Sequence, residues 1–139
     1  GMKTTINEQE KLFYLATEDG WVKIAGHEIK IGELCFCATL TGNLINPLLT
    51  FSEASTGSRV ALARLSIIEV LESESKEAYL KLLHEKAAVL NEFISKNDMD
   101  MKKRIADRRK VIFKELGEKP PTENINLDSR GNESKCNQF

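Results

Sequence analysis

Ser75-Lys76-Glu77-Ala78-Tyr79-Leu80-Lys81-Leu82-Leu83-His84-Glu85-Lys86-Ala87-Ala88-Val89-Leu90, residues 75–90, decides how the chain is read. Projected at about 100° per residue, Tyr79, Leu80, Leu82, Leu83, Ala87, Val89 and Leu90, followed by Phe93 and Ile94, fall within half of a helix circumference. Lys81, His84, Glu85, Asn91, Glu92 and Ser95 fill the other half. This predicts an amphipathic helix over 75–96. Ser75 is its N-cap, where a hydroxyl takes an orphan backbone N–H, and Glu77 in the first turn suits the helix dipole. Lys86 alone falls inside the apolar arc, and its aliphatic stem lets the ammonium return to water.

Upstream of this helix the chain is built differently, from short apolar runs punctuated by turn residues. Residues 11–17 read as a strand closed by Glu18-Asp19-Gly20, and 21–25 as its hairpin partner. Gly26 and Gly32 bracket a polar piece, 27–30. The run 34–40 alternates, with Leu34, Phe36, Ala38 and Leu40 on one face and Cys35, Cys37 and Thr39 on the other. Thr41-Gly42-Asn43 ends it. Asn46-Pro47 then opens a fourth strand over 48–54, because proline disfavours helix at the residue before it and suits the first position of a strand. After the turn Ser55-Thr56-Gly57-Ser58, residues 59–63 read as a returning strand that bends into helix. A helix capped by Ser58 is the competing reading, since a short apolar run fits either period.

Downstream, Asn97-Asp98 interrupts the helix and caps a second one, with Met101, Ile105, Ile112 and Leu116 on a narrow apolar seam and Gly117 as its stop. The two are expected to form an αα-hairpin. Strands before helices indicate an α+β class: antiparallel β-hairpins in the N-terminal half packed on an amphipathic helix, then a second helix and a polar tail. The expected organisation is a single domain over 2–117 and a tail over 118–139. In that tail Pro120-Pro121 and a run of Asn, Ser, Glu and Lys lack the apolar content to fold alone. Gly1 before Met2 reads as the remnant of a cleaved tag.

Composition narrows the function classes. The 139 residues are 41% apolar, enough for one core, and 20 Lys and Arg stand against 21 Asp and Glu. No long-range field therefore draws the molecule to nucleic acid or to an anionic membrane. The opening residues are polar rather than the core of a signal peptide, and no apolar run approaches the ~20 residues of a bilayer span. The odd count of three cysteines, without a secretion signal, suits reduced thiols, so a cytoplasmic location is expected.

Cys35 and Cys37, with His27 upstream, form the one cluster resembling a metal site. The third thiol, Cys136, lies in the polar tail, so these two read as buried thiols on one strand face and no metal is assigned. His27 and His84 are the only histidines and read as surface residues. Ser55-Thr56-Gly57-Ser58 lacks the glycines of a nucleophile elbow and the lysine of a phosphate loop. No catalytic residue and no cofactor is expected. The strongest charge feature is Lys102, Lys103, Arg104, Arg108, Arg109, Lys110 and Lys114, with Asp107 the only acid among them. These cations surround the helix, and Arg108 and Arg109 interrupt its seam, so ion pairing is favoured over nucleic-acid contact. The alternative is a nucleic-acid-binding helix over 101–116, contacting phosphate through Lys102, Lys103, Arg104, Arg108, Arg109 and Lys110.

The segment from Leu49-Thr50-Phe51-Ser52-Glu53 through Ser55-Thr56-Gly57-Ser58 to Arg59-Val60-Ala61, followed by Ser75-Lys76-Glu77-Ala78, resembles a pattern in small uncharacterised proteins of bacterial phages and mobile elements. There a strand, a Thr-Gly turn, a returning strand and a helix follow one another. The resemblance implies no catalytic residues and suggests a small accessory or interaction protein. The resulting expectation is a non-enzymatic protein whose partner is a second copy or another protein. Self-association is expected through Met101, Ile105, Ile112 and Leu116, and no membrane partner is expected.

Overall fold

The computed structural model describes residues 1–125. Five strands follow one another as an antiparallel meander: β1 (Thr4–Thr17), β2 (Gly20–Ile31), β3 (Leu34–Gly42), β4 (Pro47–Glu53) and β5 (Ser58–Arg64). A short helix α1 (Ile67–Glu72) leads into α2 (Lys76–Leu116), and a two-residue strand β6 (Glu123–Asn124) pairs with β1. The sheet order is β5-β4-β3-β2-β1-β6. The architecture is α+β, as the separation of strands from helices indicated.

The core lies between one face of the sheet and α2. Register places Ile29 opposite Phe36 and Ala38 opposite Phe51, and these pack with Leu83, Ala87, Leu90 and Ile94 of the helix. The alternation in β3 is as the sequence indicated: Phe36 and Ala38 join this core, while Cys37 and Thr39 point to the other side of the sheet. Residues 59–72 resolve into strand and then helix. Ser66 caps α1, its hydroxyl accepting the Glu69 N–H while the Glu69 carboxylate accepts the Ser66 N–H.

Three expectations are corrected. The two helices of the expected αα-hairpin form one kinked helix. Only Asn97 leaves helical geometry (φ −133°, ψ 28°), and its side-chain amide donates to the Phe93 carbonyl at 2.8 Å, so the interruption bends the path without reversing it. The polar piece 27–30 lies inside β2, since Ile29 and Ile31 alternate into the core from a strand that runs through Gly26. The tail begins later than expected. Gly117, at φ +80°, turns the chain back, and residues up to Ile125 return to the sheet edge. Residues 126–139 of the expected tail lie outside the described residues.

Two irregularities shape the sheet. In β1, Ile6 pairs with Ile29 and Glu10 with His27, so four steps of β1 match two of β2 and the residues between bulge outward. The pairing of β2 with β3 stops at His27 and Ala38. Beyond that point the start of β2 pairs with β1 alone and the end of β3 with β4 alone, so the sheet forks. The hairpin arm of β1 and β2 meets the β4–β5 turn, where the Ala16 N–H donates to the Gly57 carbonyl at 2.9 Å. Gly57 (φ +69°) is required there, because a Cβ would stand 2.6 Å from the Tyr14 carbonyl oxygen.

Candidate functional site

The seam offered by the sequence to a second chain is occupied within the protein. Met101 and Ile105 belong to the core under α2, Ile112 is buried further along, and Leu116 is half-buried. The kinked helix carries the seam onward over the molecule's own surface rather than out to solvent. The seam therefore has little exposed surface to offer a second chain.

The basic stretch is partly engaged. Lys102 pairs with Glu33 in the β2–β3 turn and with Asp98, both at 3.4 Å, and Arg104 pairs with Asp100 at 3.1 Å. Arg109 donates to the Ser55 hydroxyl in the β4–β5 turn. Arg108 stands beside Arg59 in a groove between α2 and β5, and Lys103 and Lys110 are exposed.

Cys37 is buried and Cys35 half-buried, the Cys35 thiol donating weakly to Glu28 at 3.5 Å. Burial pushes both thiols up to about 12. Among the described residues no group of three His, Cys, Asp or Glu side chains could hold a metal ion. His84 is exposed on α2, as read from the projection. His27 is not a surface residue: it is 5% exposed, and its Nδ1 lies 2.9 Å from the Asn7 carbonyl. A carbonyl only accepts, so Nδ1–H is the donor in this contact. The ring lies 5.7 Å from that of Tyr79, tilted by 51°. Burial, reinforced by the nearby Glu10 carboxylate, pushes the Tyr79 hydroxyl up to about 12.

The surface least expected from the sequence is apolar. Helix α1 buries none of its residues and exposes Ile67, Ile68 and Leu71. The Leu65 N–H donates to the Pro47 carbonyl at 3.0 Å, which seats the helix beside the β3–β4 loop. On that loop Leu44 is 80% and Ile45 90% exposed, and Leu40 lies at its base on β3. From the other side Glu69 of α1 meets Lys86 of α2 at 3.0 Å, an ion pair that gives the in-arc lysine its partner and lowers the Glu69 carboxyl, the Ser66 backbone N–H contributing most. Ser66-x-x-Glu69 is a capping signature legible in the sequence. That the helix turns its apolar side outward is not.

A scan against protein-family models, a search of the curated proteins and a search of the solved structures all return nothing for this chain. The molecule's own chemistry is then the guide. Among the described residues no helix is long and apolar enough to cross a membrane. The molecule presents an outward apolar helix and loop able to be buried by another surface, and an adjoining recess at the sheet fork around His27 that shares Leu40 with it.

Proposed function

We propose that this is a non-enzymatic protein that works by association, pairing with a second copy through α1 and the β3–β4 loop. The observation that carries the reading is the outward face of α1. A capped helix held in place by a hydrogen bond and an ion pair would bury its isoleucines and leucine against its own chain if the fold were their destination. Leu40, Leu44, Ile45, Ile67, Ile68 and Leu71 are each about half exposed or more, Leu44 and Ile45 almost wholly. Large apolar side chains exposed together on one helix and the loop beside it mark an interaction surface. The adjoining rim carries both signs, Glu72 and Glu74 beside Lys76 and Lys81, which suits a two-fold arrangement in which each copy's acids meet the other's bases. Unpaired Cys35 and Cys37 suit a reducing compartment such as the cytoplasm.

The test is sedimentation or light scattering across the micromolar range, on the native chain and on Ile68→Asp with Leu71→Asp. Both positions are exposed, so the double variant keeps its fold. The expected result is a dimer that the double variant dissociates. A native chain that stays monomeric at high micromolar concentration, or a double variant that still dimerises, removes the proposal. A second reading places nucleic acid along the basic half of α2. It is favoured by the exposure of Lys103, Arg108 and Lys110 and opposed by the internal partners of Lys102, Arg104 and Arg109.

A further inference from the structure

β5 stands at the end of the strand order and pairs with β4 alone, so among the described residues one side of its backbone is open. The Leu65 N–H bonds the Pro47 carbonyl, and hydrogen-bonded pairs alternate along an antiparallel ladder. Ala63 and Ala61 therefore bond β4, while the N–H and C=O groups of Leu62 and Arg64 point away from it. Beside this edge runs a groove of about 530 Å³, with α2 as its far wall. Its floor is apolar. Val60 of β5 meets Met101 and Ile105 of α2, both buried, and Phe93 stands 53% exposed on the helix wall. Open main-chain groups along one side, an apolar floor that can take side chains and a helix opposite are the parts used when an extended peptide adds to a sheet edge.

The charges choose the partner. Of those on the groove walls, Arg104 and Asp100 pair with each other at 3.1 Å, which leaves Arg59 and Arg108 against Asp107. β5 itself carries Arg59 and Arg64 and no acid. Two such strands laid edge to edge would crowd their arginines together, so the edge rejects a second copy and suits a strand that brings carboxylates. A phosphate backbone would meet the arginines but leave the apolar floor empty.

We infer that the free edge of β5 takes up an extended acidic segment of a partner protein as a further strand, whose alternate side chains enter the groove between β5 and α2. One apolar side chain fills the floor over Val60 and Ile105, and acids two residues to either side of it meet Arg59 and Arg108. The groove shares no lining residue with α1 or the β3–β4 loop, so Ile68→Asp with Leu71→Asp, which tests the dimer, leaves it in place.

The probe is a capped peptide, Thr-Glu-Thr-Leu-Thr-Glu-Thr, whose leucine and two glutamates share one strand face. One control replaces both glutamates with lysine, and another keeps the glutamates but is N-methylated throughout, which removes its amide donors. In a nitrogen-15 correlation titration of the full chain, the glutamate peptide is expected to shift the amides of Val60, Leu62 and Arg64 saturably and to slow hydrogen exchange at Leu62 and Arg64. Neither control is expected to do so. Arg59→Glu with Arg108→Glu, both at exposed positions and so compatible with the fold, is expected to weaken the glutamate peptide by about tenfold and to admit the lysine peptide. No saturable shift at millimolar peptide, an N-methylated peptide that binds as tightly, or a double variant that binds unchanged would each overturn the proposal. So would a single-stranded oligonucleotide that shifts these amides where the peptide does not.

Discussion

Glu53 is buried at the end of β4, where its carboxylate accepts the backbone N–H groups of Ser55 and Thr56 and the Ser55 hydroxyl, each at 2.9 Å. Glu53→Ala leaves those donors without their acceptor in a turn that also holds the β1–β2 arm. The expected loss is about 2–4 kcal/mol of stability by urea denaturation, with a smaller loss for Glu53→Gln. The thiols make a second prediction. Unfolded, Cys35 and Cys37 ionise near 9.0, whereas burial holds them to about 12 in the folded chain. The folded state therefore binds the protons more tightly, so stability is intact below pH 9 and falls as pH rises from there toward 12. Each fully buried group contributes about 1.4 kcal/mol per pH unit across that window, and the partly exposed Cys35 less. Urea midpoints that do not decline above pH 9 would contradict this, as would alkylation of Cys37 at a free-thiol rate near neutrality. The two faces of β3 were legible in the sequence because period-2 alternation survives any sheet topology. The burial of His27 was not. It follows from pairing across the β1 bulge, which depends on residues far away in the sequence.

At the scale of elements, α2 separates positions that the sequence treats alike. Leu83 and Val89 both lie in the apolar arc, yet Leu83 is fully buried and Val89 is 67% exposed. Leu83→Asp is expected to cost about 3–5 kcal/mol and Val89→Asp to stay within about 0.5 kcal/mol, as measured by denaturation midpoints. The sequence shows how wide an apolar stripe is, whereas burial depends on how wide a sheet it meets. The same gap explains the missed hairpin. Asn97-Asp98 carries the composition of a break, but the Asn97 amide bonds back to Phe93 and the seam from Met101 onward finds the sheet again. Helix α1 shows the converse: its cap was readable from four residues, and its outward orientation was not, because nothing local states that the core is already filled.

For the molecule as a whole, 20 basic and 21 acidic residues leave no field to steer a polyanion, and the basic half of α2 is partly neutralised from within. A polarisation titration with duplex DNA at low salt is expected to show no specific binding. Binding with a salt slope near −0.9 per phosphate, abolished by charge reversal at Arg109 and Lys110, would instead establish the nucleic-acid reading. Fold class and chain order were legible in the sequence, because a meander pairs each strand with its sequence neighbour. The fork, the bulge and the returning edge strand are long-range outcomes and left no local signature. The meander also has a consequence during synthesis. All five strands leave the ribosome before the helix that covers them, and hairpins pair in ~1–10 μs. The 41 residues after Arg64, up to Ile105, take about 2–8 s to be made at ~5–20 residues per second. For those seconds the nascent chain carries a formed sheet with Ile29, Phe36 and Phe51 bare, and a chain stalled there is a substrate for a chaperone before it is a protein.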